Sequence, residues 1–154
     1  MREWPGLFCC LVFWLVVPAS AATADTAREH AQRGREAIAR GETKAAESEL
    51  RQAVQLAPRD AEFLALLGVV LGMQQKLQES DVYLEKALRI DPDDAATRRN
   101  LAWNQFQLGQ LVPTKSNLER ILEQKPGDQQ ATLILGMVDE KPRSQAAPLF
   151  LQSA

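Results

Sequence analysis

Cysteine and histidine are nearly missing from this chain of 154 residues: two cysteines, Cys9 and Cys10, and one histidine, His30. That scarcity excludes a disulfide framework and the Cys/His clusters of structural zinc sites. Charge of one sign is also missing. Eighteen basic residues stand against 20 acidic ones, for a net charge of -2, which excludes a strongly basic nucleic-acid binder. No H-E-x-x-H, no phosphate-cradling glycine loop and no G-x-S-x-G occurs, so no catalytic constellation is present. Asp91, Asp93 and Asp94 lack the glycine and distal glutamate of a calcium loop and read as helix-capping acids. No catalytic residue, metal or cofactor is assigned.

Long apolar runs are absent as well. The longest, Leu7 to Val17, would reach only about 16 Å as a helix, roughly half a bilayer core. A weakly positive start (Arg2 and the amino terminus against Glu3) precedes it. Pro18 and the small-x-small pattern Ala19-Ser20-Ala21 follow, with Ala22-Thr23-Ala24 as a second candidate. This is the layout of a secretory signal peptide over residues 1–21, with an uncleaved anchor as the rival reading. Both cysteines sit inside the apolar run, behind Phe8 rather than a small residue, and do not form a lipidation site. Cleavage after residue 21 leaves 133 residues without cysteine, whose stability must come from packing. Residues 22–26 are then a short linker. The expected destination is the periplasm or the exterior.

What is present is a repeat of 34 residues. Pro58, Pro92 and Pro126 keep that interval, as do Asp60, Asp94 and Asp128, and Leu50, Leu84 and Leu118. Leu67, Leu101 and Leu135 form another such column. Gly34, Gly68, Ala102 and Gly136 form a column of small residues, and Ala53 and Ala87 match. The units are 27–60, 61–94 and 95–128, with a shortened fourth over 129–154. Each reads as two amphipathic helices: in unit two, Phe63, Leu64, Leu67, Val70 and Leu71, then Val82, Leu84, Ala87, Leu88 and Ile90, recur at helical spacing. Gly41 and Gly109 mark the turn inside a unit, where positive φ is tolerated by glycine. The proline closes the second helix, and the aspartate two residues later caps the next first helix. The small column lets two helices approach closely. In unit four, Glu140 to Ser144 replaces the normal turn, and Pro148 predicts a last helix that is short or that starts near it.

These columns resemble the tetratricopeptide repeat over roughly residues 27–138, most clearly in unit two, which closes Lys86-Ala87-Leu88-Arg89-Ile90-Asp91-Pro92. There are departures. His30, Leu64, Arg98 and Thr132 stand where an aromatic is usual, Arg33 replaces a leucine, and Ser80 and Thr114 replace a small apolar residue. The resemblance implies an all-α, right-handed solenoid of helical hairpins over residues 27–154, in which each pair seals the apolar stripe of its neighbour. It also implies that first helices line a concave face. Carried over by position, the partner-binding groove comprises Arg28, Arg35, Val69, Met73, Arg99, Trp103 and Met137, with Ala65, Phe106 and Leu133 beside them. That groove is basic at one end and apolar in its middle, and Trp103 is its leading anchor. Val69, Phe106 and Leu133 read more readily as inter-helix core, and Arg28 and Arg35 as a solvated face. Asn100 matches one member of the set that binds chaperone tails in this family. Ala31 and Arg35 do not match, so that ligand is not carried over.

The expected function is a non-catalytic, exported protein-interaction scaffold with a protein or peptide partner, Arg28 and Arg35 favouring an acidic segment. Nucleic acid is not expected as a partner, nor is a membrane after cleavage. No polar capping helix closes the carboxyl end, which leaves self-association open there. The alternative is the amino-terminal repeat module of a longer enzyme or assembly protein.

Overall fold

A computed structural model of the chain describes residues 19–150; the leader up to Pro18 lies outside them. Among the described residues there are seven α-helices and no strand: α1 (Ala19–Ala39), α2 (Thr43–Leu56), α3 (Ala61–Met73), α4 (Leu77–Ile90), α5 (Ala95–Gln107), α6 (Leu111–Gln124) and α7 (Gln129–Phe150). The fold is an all-α repeat of helical hairpins, paired as α1/α2, α3/α4 and α5/α6. Each hairpin packs on the next through α2/α3, α4/α5 and α6/α7. First helices also touch in series (α1/α3, α3/α5 and α5/α7), which places them on the inner side of the stack.

The repeat columns become the packing. Second helices bury Ala46, Leu50 and Ala53 in α2, Ser80, Leu84 and Ala87 in α4, and Thr114, Leu118 and Ile121 in α6. Those are the same three positions at intervals of 34, four and three residues apart, one stripe on each helix. Leu50, Leu84 and Leu118 are fully buried. Two of them lie against glycine. A Cβ on Gly34 would stand 2.7 Å from Leu50, and one on Gly68 would stand 2.7 Å from Leu84. No side chain fits in either place unless the helices part.

The turns follow an equally local logic. Gly41 (φ 75°), Gln75 (φ 62°) and Gly109 (φ 75°) occupy the left-handed region at the 34-residue interval. The next amide in each case bonds five residues back, Glu42 to Ala37, Lys76 to Leu71 and Gln110 to Gln105, at 2.8–2.9 Å. That is the Schellman closure of a helix end. Asp60 accepts from the Phe63 amide at 3.1 Å, Asp94 from Ala96 at 2.9 Å and Asp128 from Ala131 at 2.9 Å. The aspartate of each repeat therefore caps the next first helix, as its spacing predicts.

Two expectations are corrected. Residues 22–26 are not a linker: α1 runs through them, because Ala21 to Ala27 holds no glycine or proline to stop a helix. The fourth unit does not turn at residues 140–144 or begin a short helix near Pro148. α7 continues as one helix to Phe150. The residue in register with Gly41, Gln75 and Gly109 is Arg143, inside that helix. A proline there removes one backbone bond and costs about 3 kcal/mol without forcing a reversal. Gly136 accordingly has no described atom within 4 Å of a Cβ built on it.

Two apolar clusters form. One joins α1, α2 and α3 around Leu50, Leu67 and Leu71; the other joins α5, α6 and α7 around Leu118, Ile121 and Ile134. The buried faces between them are partly polar. Ser80 donates to the Gly68 carbonyl at 2.6 Å, and Asn104 donates to Ser80 at 2.7 Å. Burial pushes the neighbouring Asp81 carboxyl up. Thr114 donates to the Gln110 carbonyl at 2.7 Å. The hydroxyls of Ser80 and Thr114 are thus satisfied rather than stranded, and these departures from the repeat pattern cost little.

On the outer side, Glu47 of α2 accepts from Lys76 at 2.8 Å and from Arg51 at 2.7 Å, and Arg51 reaches Glu79 at 2.5 Å. The Lys76 ammonium first, then Arg51 and Gln74, hold the Glu47 carboxyl down at about 2, from an ordinary 4.5. A depressed carboxyl stabilises the fold above its unfolded value and loses that contribution as pH falls. Taken whole, the shift is worth about 3 kcal/mol. Exposure of Lys76 and Arg51 reduces that to about 1 kcal/mol.

Gly68→Ala should lower stability by about 1–3 kcal/mol in chemical denaturation, through the collision with Leu84. Gly136→Ala should raise it by about 0.5–1 kcal/mol, having only helix propensity to change. Equal effects of the two substitutions would refute the close approach. Glu47→Gln should cost about 1 kcal/mol at pH 7, and its difference from the parent chain should vanish between pH 4.5 and pH 2. A difference that persists unchanged at pH 2 would remove Glu47 from the ion-pair account.

Candidate functional site

The inner side carries a trough along α3, α5 and α7. Three recesses of about 220, 390 and 260 Å³ make it up. Val69, Gly72, Met73, Asn100, Trp103 and Asn104 line the first. Ala65, Val69, Thr97 and Asn100 line the second, with Glu62, Asp91 and Asp94 at its edge. Arg99, Asn100, Trp103, Gln130, Leu133 and Ile134 line the third. Asn100 borders all three, and Val69 and Trp103 border two each. They form one continuous surface because residues 99, 100 and 103 are helical neighbours on α5, and 69 and 73 are neighbours on α3.

Trp103 is 41% exposed, and its ring stacks on Phe106 with centroids 5.7 Å apart. Phe106 packs against the second apolar cluster, so its ring roots the indole in the core while the indole itself faces out. Met73 is 53% exposed and Leu133 68%. A half-exposed indole flanked by a flexible thioether and a leucine offers apolar area with one indole N–H as a directional contact.

Of the residues the sequence nominates, Val69, Met73, Arg99 and Trp103 meet in this trough, with Ala65 and Leu133 beside them. Arg28, Arg35 and Met137 border none of these three recesses. Each nominated arginine is engaged with a carboxylate. Arg28 pairs with Asp25 at 2.7 Å, Arg35 with Glu62 across α1 and α3, and Arg99 with Asp128 at 2.6 Å. The Ala131 amide first, and Arg99 second, hold the Asp128 carboxyl below its usual range. The positive end that the sequence implies is therefore largely neutralised within the chain. Asn100 is the residue left out of the nominated set. Its i, i+3 relation to Trp103 is the signal that places it on the same face.

Hairpins of paired helices stacked in register, with an inner trough lined by first helices, define a helical-repeat solenoid. The sequence model of the tetratricopeptide repeat matches residues 61–94, the second unit. That unit is thus a tetratricopeptide repeat, and the stacked hairpins around it have the fold of tetratricopeptide-repeat domains. No curated protein sequence matches it. Among solved structures, the first tetratricopeptide-repeat domain of Spaghetti (RPAP3) bound to the HSP90 peptide SRMEEVD superposes with a TM-score of 0.75 at 16% identity, over 78% of this chain and 95% of that one. The second such domain of human RPAP3, in complex with the HSP70 peptide SGPTIEEVD, gives 0.70 at 19% identity, over 78% and 98%. A mutant O-GlcNAc transferase of Thermobaculum terrenum gives 0.68 at 27% identity, over 78% of this chain and 22% of that one.

Proposed function

We propose that this protein is a non-catalytic scaffold that holds a segment of a partner protein in the trough along α3, α5 and α7. The observation that carries this reading is Trp103, the one tryptophan among the described residues, presented outward on a ring anchored in the core. Aromatic side chains held rigidly at the centre of a depression are the usual anchors of protein contacts. The peptide complexes of the two similar RPAP3 domains support the same use of the fold. Their acidic peptides also support an acidic partner, but Arg28, Arg35 and Arg99 already face carboxylates of this chain. The apolar surface therefore carries the affinity, and added salt weakens binding only slightly.

The second reading, a repeat module of a longer enzyme, draws on the similarity to the O-GlcNAc transferase, of which this chain spans less than a quarter. The two readings separate on what the isolated full chain does by itself. As a scaffold, it captures a partner. As a module, it captures none.

Export to the periplasm or exterior is part of the proposal and rests on the leader at residues 1–21. Among the described residues no helix is long and apolar enough to cross a membrane.

Trp103→Ala should weaken the captured partner by about 10- to 100-fold while lowering stability by only about 1–2 kcal/mol, since the ring is only partly buried. Undiminished capture would remove Trp103 from the site. Mass spectrometry of the exported protein should find a mature amino terminus at residue 22 or 25; an intact Met1 would refute cleavage.

A further inference from the structure

Behind the trough, on the side formed by α4, α5 and α6, lies a separate depression of about 280 Å³. Arg89 of α4, Arg98 of α5 and Arg120 of α6 all line it. Arg98 is 7% exposed, yet no carboxylate of the described residues comes within salt-bridge distance of its guanidinium. Its partners are neutral: Nη1 donates to the Asn117 side chain at 3.1 Å and Nη2 to the Pro92 carbonyl. Its Nε is buried without a partner. Burial first, and the nearby Arg120 second, push its pKa down. Glu85 is the one acid on the rim. Asp93 and Asp94 offset part of the downward push by their charge, from beyond ion-pair distance. Asp94 caps α5, and Asp93 accepts from Gln124 at 2.8 Å. Arg89 and Arg120 are exposed, and neither forms an ion pair among the described residues.

A buried cation with no carboxylate in contact is costly, and removing water from neighbouring guanidinium groups is costlier still. The shape of the depression meets that cost. It is lined by the apolar Leu88 and Leu101, by two exposed arginines and by one buried arginine held by hydrogen bonds. We propose that Arg89, Arg98 and Arg120 form a binding site for a single oxyanionic group, a carboxylate or a phosphate. The group sits between the two rim arginines and over the Arg98 guanidinium, which Asn117 and Pro92 hold in place. Guanidinium groups suit this task because they present paired donors to planar or tetrahedral oxygen groups. The site is distinct from the trough, and it stands whether or not Trp103 anchors a partner.

The test uses the full chain labelled with nitrogen-15 and follows the arginine Nε–H resonances. Inorganic phosphate and acetate are titrated against sodium chloride at matched ionic strength. The Arg98 resonance should shift saturably, with either phosphate or acetate, and not with chloride. Saturation by acetate as well as phosphate identifies a carboxylate group; phosphate alone identifies a phosphoryl group. In the Arg89→Gln/Arg120→Gln double variant the apparent affinity should fall about tenfold or more. An independent arm uses Arg120→Glu, which supplies a carboxylate from within: it should raise the melting temperature and abolish the anion response. A shift that is linear, chloride-like or undiminished in the double variant overturns the site, as does an Arg120→Glu chain that responds like the parent.

Discussion

The stack depends on one contact repeated along the chain: a leucine of each second helix resting where the first helix has no side chain, or nearly none. Leu50 over Gly34 and Leu84 over Gly68 bring the two helix backbones together with nothing between them but the leucine itself. Ala102 and Leu118, both fully buried, occupy the same two columns in the third unit. Close approach within each hairpin leaves a flat apolar flank, which the next hairpin covers. Because the first helices touch in series and the second helices do not, the units splay toward the outside, and the inner side closes into a trough.

Electrostatics serve this packing rather than compete with it. Glu47, Lys76, Arg51 and Glu79 bind α2 to α4 on the splayed side, where no backbone contact exists. Arg35 and Arg99 bridge successive first helices on the inner side. Side chains that the sequence offers as ligand contacts are thus spent on joining layers. Arg98 is the exception, a buried charge that forms no ion pair with a carboxylate of the described residues.

Much of this was legible in the sequence because period and packing have the same origin. A column of leucines, one of small residues and one of aspartates each translate into a buried stripe, a close approach and a cap. Gln75 was harder to read, since a left-handed glutamine shows itself only by its register with Gly41 and Gly109. The continuous α7 escaped because proline signals a cost, not the path the chain takes instead. In the trough, Trp103, Val69 and Met73 follow from face and spacing. The fate of Arg28, Arg35 and Arg99 does not, because Asp25, Glu62 and Asp128 belong to other repeat positions and meet them only in space. Asn100 lies one residue from a nominated arginine, and the sequence marks it only as one match to a tail-binding set that Ala31 and Arg35 do not complete.

The bond from Asn104 to Ser80, itself tied to the Gly68 carbonyl, joins the second and third units by direction as well as by area. Oily faces slide; a hydroxyl seated between an amide and a carbonyl does not. This joint lies at the floor of the recess in which Trp103, Val69 and Met73 meet. Two short polar side chains thus fix how α5 sits on the second hairpin, beside the leucines that supply most of the cohesion.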